Sequence, residues 1–143
     1  EKRVVGTPVD PATQVAPLVG FEHRDAVEAY IALAREEGGR ILTGGERPTG
    51  DAYDAGAYLK PTIIAGLTNQ SRTCREEIFG PVLVVLPFDD EADVIAQSND
   101  HDYGLACGIW TQDFPRPWRL PRALDACTAC TPSPRPLCPP PPL

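Results

Sequence analysis

Five apolar residues between two prolines constrain this chain more than any other stretch. Val82-Leu83-Val84-Val85-Leu86 is rich in β-branched residues, bounded by Pro81 and Pro87, and about the length of one buried strand. Directly before it runs Arg75-Glu76-Glu77-Ile78-Phe79-Gly80. The two carboxylates therefore lie in the tight segment entering a strand, where rigid backbone can aim a side chain at a ligand. The plainer reading of an isolated Glu-Glu pair is a solvated loop charge, and the surrounding sequence has to decide between them.

The flanking segments read as an α/β pattern. Residues 6–20 are rich in turns, with Pro8, Pro11 and Pro17 blocking regular structure. From His23 to Glu37 the apolar Val27, Tyr30, Ile31 and Ala34 recur at helical spacing, with Glu28 and Arg35 to Glu37 on the other side. Gly38-Gly39 supplies the flexible stop expected past a helix end. Arg40–Thr43 reads as a short strand closed by Gly44-Gly45, residues 46–57 as a loop or hairpin tip, and Tyr58–Leu67 as a strand centred on Thr62-Ile63-Ile64. A turn at Asn69-Gln70-Ser71 leads toward Val82–Leu86. Asp89-Asp90-Glu91 then places three carboxylates where a helix begins, against its unpaired N–H groups and the positive end of its dipole. Val94 and Ile95 anchor that helix, which ends near Asn99, and Leu105–Trp110 is the next strand. Strand, helix and strand within about thirty residues make one crossover unit, so a parallel or mixed sheet follows.

Beyond Asp113 the pattern decays. Phe114, Trp118, Leu120 and Leu124 alternate with Arg116, Arg119 and Arg122 in a helix-like rhythm that Pro115, Pro117 and Pro121 interrupt. Pro115 fits a first turn. Each interior proline costs a helix about 3 kcal/mol, more in sum than so short a helix gains from one apolar face. From Thr131 proline dominates, ending in Pro139-Pro140-Pro141-Pro142, which reads as extended, polyproline-like or disordered chain. Charge changes at the same place. Residues 1–113 carry nine Lys or Arg against nineteen Asp or Glu, net −10, and residues 114–143 carry four against one, net +3. The coincidence marks a boundary near Asp113.

Whole-chain properties exclude several classes. At 143 residues the length prior gives one domain, able to bury about two thirds of its unfolded surface. The overall charge of −7 argues against nucleic acid, whose phosphates need a concentrated positive surface. No apolar run reaches the roughly eighteen residues of a membrane span. The start, Glu1-Lys2-Arg3-Val4-Val5-Gly6-Thr7-Pro8, has no apolar core of signal-peptide length, and with no Met anywhere it reads as a cut edge. Five cysteines, an odd number, fit a closed disulfide framework poorly and point to a reducing, cytoplasmic setting.

Several separated blocks agree in order and spacing with one known family. Glu76-Glu77-Ile78-Phe79-Gly80-Pro81-Val82, then Phe88-Asp89, then Asn99-Asp100-x-x-Tyr103-Gly104-Leu105-Ala106 and Gly108-Ile109-Trp110-Thr111 resemble the aldehyde dehydrogenase superfamily. So do Asp10-Pro11-Ala12-Thr13-Gln14, Leu42-Thr43-Gly44-Gly45 and Lys60-Pro61-Thr62-Ile63 upstream, giving a resemblance over about residues 4 to 126. It implies a three-layer α/β fragment from the later part of the catalytic domain over residues 1–126, followed by an irregular Pro-rich tail over residues 127–143. Members are similar through a helix at residues 114–124 and then enter a Gly-Thr-Val-x-x-Asn strand. Here Ala126-Cys127-Thr128-Ala129-Cys130-Thr131 stands instead, so the tail reads as a degenerate or frameshifted end.

By that resemblance Glu77 matches the carboxylate that accepts hydrogen bonds from both hydroxyls of the nicotinamide ribose of NAD or NADP. Phe79 matches the aromatic packed beside that ribose and the nicotinamide ring. A carboxylate suits the first role because its two oxygens take both donors at once. These roles orient a cofactor and break no bond. The family reaction, oxidation of an aldehyde to a carboxylic acid, also needs a cysteine thiolate to attack the aldehyde, hydride transfer to NAD(P)+ and an activated water. The resemblance puts the nucleophile, the general-base Glu and the dinucleotide-binding domain ahead of Glu1. No catalytic residue is therefore assigned, and the chain alone is expected to be inactive and to hold the cofactor weakly. The implied partners are an aldehyde substrate and further copies, since the family is typically homo-oligomeric. Two alternatives stand beside this. One is a non-enzymatic remnant that associates with a full-length homologue or other partner through an exposed sheet edge. The other is a split enzyme, in which a complementary chain supplies the remaining parts.

The other chemistry-bearing residues read as structural. Nothing marks Cys74 as activated by a base or a helix N-terminus, and Cys107 falls within a strand, so both read as small core residues. Cys127-x-x-Cys130 with Cys138 lacks the second pair that a zinc site needs, and a redox pair needs an ordered junction that prolines deny. No metal site is assigned. His23 reads as a helix-start or surface residue and His101 as a turn residue. Gly44-Gly45 has no GxGxxG or Walker context.

Overall fold

The computed structural model describes residues 3–113 and 115–130, and the chain falls into two compact units divided between Pro87 and Phe88. In the first unit, helix α1 (Phe21–Glu36) buries Val27, Ile31 and Ala34, the stripe that helical spacing predicts. Gly38, at φ +89, makes the left-handed turn that returns the Gly39 N–H to the Ala34 carbonyl at 2.7 Å and ends the helix. Strand β1 (Arg40–Thr43), helical turn α2 (Asp51–Asp54), strand β2 (Thr62–Ala65), helical turn α3 (Arg72–Arg75) and strand β3 (Val82–Val85) follow.

β2 is central, antiparallel to β1 and parallel to β3, which is the mixed α/β sheet that the sequence implies. It is shorter than the expected Tyr58–Leu67, because Pro61 has no N–H to give a ladder, yet Tyr58 and Leu59 are buried ahead of it. α1 packs on one face of the sheet. Val27, Ile31 and Leu59 form one cluster and Ala34, Ile64 and Leu67 another, with Ile41 and Val82 touching both. Each Val, Leu or Ile among them, where fully buried, contributes about 1.5–3 kcal/mol. On the opposite face Leu42, Leu83 and Val85 remain about half exposed. A strand in parallel pairing is apolar on both faces, which is why Val82–Leu86 carries no alternation.

In the second unit, helix α4 (Glu91–Asn99) begins where the acidic triplet predicts, and the Asp90 carboxylate caps it by accepting from the Asp93 N–H at 2.9 Å. Strand β4 (Ala106–Gly108) runs parallel to β5 (Thr128–Cys130). This corrects the expected crossover from β3 through α4 to β4, since β3 pairs with β2 and the two pairs lie in separate sheets. Parallel pairing requires only a connection of about a dozen residues or more. The stretches between β2 and β3 and between β4 and β5 satisfy that as well as the helix does.

Between β4 and β5 lie helical turn α5 (Arg116–Arg119), with Pro115 at its N-cap, and a 3₁₀ turn at Leu120–Arg122. The prolines break the rhythm into two short turns and sit at starting positions, where a missing N–H leaves no partner unpaired. β5 falls inside the stretch expected to be irregular from residue 127. Its pairing is made by main-chain groups, beginning with the Cys127 N–H on the Gly104 carbonyl at 2.7 Å, and so does not require the family's side chains. Asn99 braces this turn, donating to the Ala123 carbonyl at 2.8 Å and accepting from the Asp125 N–H at 2.9 Å. The Arg119 and Arg116 guanidiniums bond Glu91 and hold its carboxyl below the usual value. The polyproline stretch, Cys138 and the part of the degenerate-end reading from Thr131 onward lie outside the described residues. Among the described residues no helix is long and apolar enough to cross a membrane.

Candidate functional site

One stripe of α1 holds the segment that enters β3. The Tyr30 hydroxyl donates to Glu76 Oε2 at 2.7 Å. His23 Nε2 lies 2.7 Å from the Phe79 carbonyl oxygen; a carbonyl carries no proton, so the ring nitrogen donates. Between these two contacts Val27 packs against Gly80. A Cβ at Gly80 would come 2.7 Å from a Val27 methyl carbon, so glycine is what lets the chain pass this close to the helix.

The glutamate doublet is thereby divided. Glu76 accepts from Arg72 Nε at 2.7 Å and Arg72 Nη2 at 3.0 Å as well as from Tyr30. The Arg72 guanidinium first, and the Tyr30 hydroxyl second, hold its carboxyl below the usual value. Both Glu76 oxygens are thus occupied within the protein. The neighbouring Glu77 is exposed, and its carboxylate has no hydrogen-bond or ion-pair partner among the described residues.

Phe79 completes the arrangement in an unusual way. Its φ of +54 is the only positive value at a non-glycine residue among those described, a conformation that costs roughly 1–3 kcal/mol and persists only where the surroundings over-determine it. The residue is 77% exposed, and its ring meets the His23 ring in an edge-type arrangement with 6.2 Å between centroids. A large apolar side chain is therefore displayed by its backbone and covered by little.

Glu77 and Phe79 line an open cavity of about 420 Å³ together with Ile78, Val84, Thr73 and Cys74, a volume within the range of small-molecule sites. The turn α3 that leads into the doublet is fixed by Glu37, just past α1. Its carboxylate accepts from the Arg72 N–H at 2.7 Å, the Thr73 N–H at 3.2 Å and the Thr73 hydroxyl at 2.6 Å. It thereby satisfies the first N–H groups of α3, and the Thr73 hydroxyl above all holds the Glu37 carboxyl below its usual value. Burial pushes the Cys74 thiol up, the Glu37 charge adds to this, and the side chain packs against the cluster of Ala34, Ile64 and Leu67. That is the reverse of an activated nucleophile. Cys107 and Cys127 carry free thiols, and no group of three His, Cys, Asp or Glu among the described residues could hold a metal ion.

The sequence marks Glu77 and Phe79 but not what holds them. Tyr30 and Glu76 are 46 positions apart, and His23 and Phe79 are 56 apart. The only local hint is that His23, Val27 and Tyr30 share one helical face.

Comparison with known proteins places the chain in a family. A model of the aldehyde dehydrogenase family matches residues 1–131. The chain is 49% identical over 117 residues to a 2-aminomuconic 6-semialdehyde dehydrogenase of a Pseudomonas species, covering 81% of this chain and 24% of that protein. It is 42% identical to a betaine aldehyde dehydrogenase of Mesorhizobium japonicum, covering 87% and 26%. Among solved structures it is similar to an aldehyde dehydrogenase of Mycobacterium tuberculosis complexed with NAD+, with a TM-score of 0.86 and 42% identity over 91% of this chain and 26% of that one. It is also similar to a betaine aldehyde dehydrogenase of Staphylococcus aureus in complex with NAD+, with a TM-score of 0.86 and 34% identity over 89% and 25%. The chain thus spans about a quarter of the length of the relatives it matches. On fold, sequence and the order of its blocks, the chain belongs to the aldehyde dehydrogenase family.

Proposed function

We propose that this chain carries the nicotinamide-ribose grip of an enzyme that oxidises an aldehyde to a carboxylic acid with NAD+ or NADP+. Glu77 accepts hydrogen bonds from both hydroxyls of that ribose, one at each carboxylate oxygen, and the Phe79 ring covers the ribose and the nicotinamide. The observation that carries this reading is the division of the doublet. Both glutamates line the cavity beside a mostly exposed aromatic, but Glu76 is occupied by Arg72 and Tyr30 while the Glu77 carboxylate has no such partner among the described residues. Support comes also from the NAD+ complexes of two similar structures. Bound dinucleotide supplies the acceptor for the aldehyde's hydride. The residues here contribute position, fixing where the ring lies and which face it presents.

Neither residue attacks an aldehyde, and burial pushes the Cys74 thiol up, away from the thiolate a nucleophile needs. Residues 1–143 alone therefore turn over no aldehyde; thiolate and general base come from outside them. Titrating the ¹⁵N-labelled chain with nicotinamide mononucleotide, which has this ribose and no adenosine, tests the grip. Amide shifts should centre on Glu77 and Phe79. Shifts centred elsewhere, or none at saturating ligand, reject it. NAD(P)H formation from aldehyde by the chain alone would reject the inactivity.

A second reading has its own observation. The uncovered face bearing Leu42, Leu83 and Val85 suits association with a full-length homologue or a complementary chain, because parallel strands bury both faces. Size-exclusion chromatography with and without a complete homologue tests it, and separate elution excludes it.

A further inference from the structure

We infer that His23 is a positioning residue for the cofactor ring, holding Phe79 in the left-handed backbone conformation that displays its side chain at the cavity. This rests on the nicotinamide-ribose reading above and deepens it. Two facts make His23 the decisive contact. Phe79 is 77% exposed, so side-chain packing does little to fix it; its direction follows from the backbone at φ +54. That backbone has one side-chain hydrogen bond among the described residues, from His23 Nε2 to the Phe79 carbonyl at 2.7 Å.

The bond is anchored on a rigid element. His23 stands on the first turns of α1 and Val27 one turn later, where it closes on Gly80. Successive peptide units of the β3 entrance are thus fixed to one helix face, the near one by packing and the other by the imidazole. Packing of Val27 on Gly80 limits translation but leaves the Phe79 peptide free to rotate, because a methyl group has no directional preference. A hydrogen bond aimed at the carbonyl removes that rotation. The His23 ring, tilted 67° to the Phe79 ring with 6.2 Å between centroids, also closes one side of the space that ring can occupy. Without the bond, an aromatic residue relaxes toward negative φ and swings its ring away from the cavity.

The test uses the 143-residue chain and two variants, His23→Ala and His23→Gln, the second because its amide can still donate to a carbonyl. Two readouts are taken by NMR: the intraresidue HN–Hα Overhauser effect at Phe79, which is strong for left-handed backbone, and titration with nicotinamide mononucleotide. In the wild type the effect should be strong. His23→Ala should weaken it and lower the affinity about tenfold, a change of about 1.4 kcal/mol, with the remaining amide spectrum unchanged, and His23→Gln should recover part of both. An unchanged Phe79 signal in a folded His23→Ala overturns the inference, as does a His23→Gln chain that is folded but no better than Ala. If wild-type chain binds no mononucleotide, the ribose reading fails by itself, while the Overhauser comparison still decides whether His23 sets Phe79.

Discussion

At Glu76 the carboxylate oxygens are taken by Arg72 and Tyr30, and its folded-state pKa lies below the ordinary 4.5. A depressed carboxylate stabilises the fold fully above its ordinary pKa and loses that effect as pH falls through the folded value, since the unfolded chain binds the proton more readily. Thermal melts between roughly pH 3 and pH 7 should therefore show Glu76→Gln less stable than wild type near neutrality, with the gap closing in acid. Gly80 makes a different demand. Gly80→Ala drives a methyl group into Val27, and overpacking of this kind costs about 1–3 kcal/mol, to be read as a lowered midpoint in urea. Only part of this is legible in the sequence. Glu77 and Phe79 are singled out by their place before a strand and by their resemblance to a family pattern. That Glu76 would be withdrawn from its neighbour depends on Tyr30, at a separation local periodicity cannot report.

The elements follow the same division. α1, β1, the start of α4 and the extent of β3 are visible because each depends on spacing or caps within a few residues. The pairing of β4 with β5 and the turn α3 are not, since they depend on which distant groups come together. α3 shows why. It has four residues, too few for a period, and its first N–H groups find their acceptor in Glu37. Glu37→Ala should speed amide exchange at Arg72 and Thr73 several-fold while leaving the middle of α1 protected; uniform acceleration would show that Glu37 acts on the whole unit instead. In the core, Ile31 is nearly inaccessible, and Ile31→Ala should cost about 2–5 kcal/mol by leaving a cavity under the sheet.

For the whole molecule, the two units provide separate reporters. Trp110 and Trp118 both lie after Phe88, so tryptophan fluorescence follows the second unit, while circular dichroism reports the helices of both, α1 being the longest. Urea curves from the two probes should not coincide, whereas superimposable curves would indicate one cooperative transition. The composition break near Asp113 reports charge and proline, and compactness divides the chain earlier, because packing follows which strands pair. We propose that the carboxylate left unpartnered at the strand mouth is the one that grips the ribose. The most direct test is the affinity of nicotinamide mononucleotide for wild-type chain, Glu77→Gln and Glu76→Gln at neutral pH. Loss of charge-assisted bonds predicts binding at least roughly tenfold weaker for Glu77→Gln and close to wild type for Glu76→Gln. Equal affinity of Glu77→Gln and wild type, or a larger loss at Glu76, would contradict it.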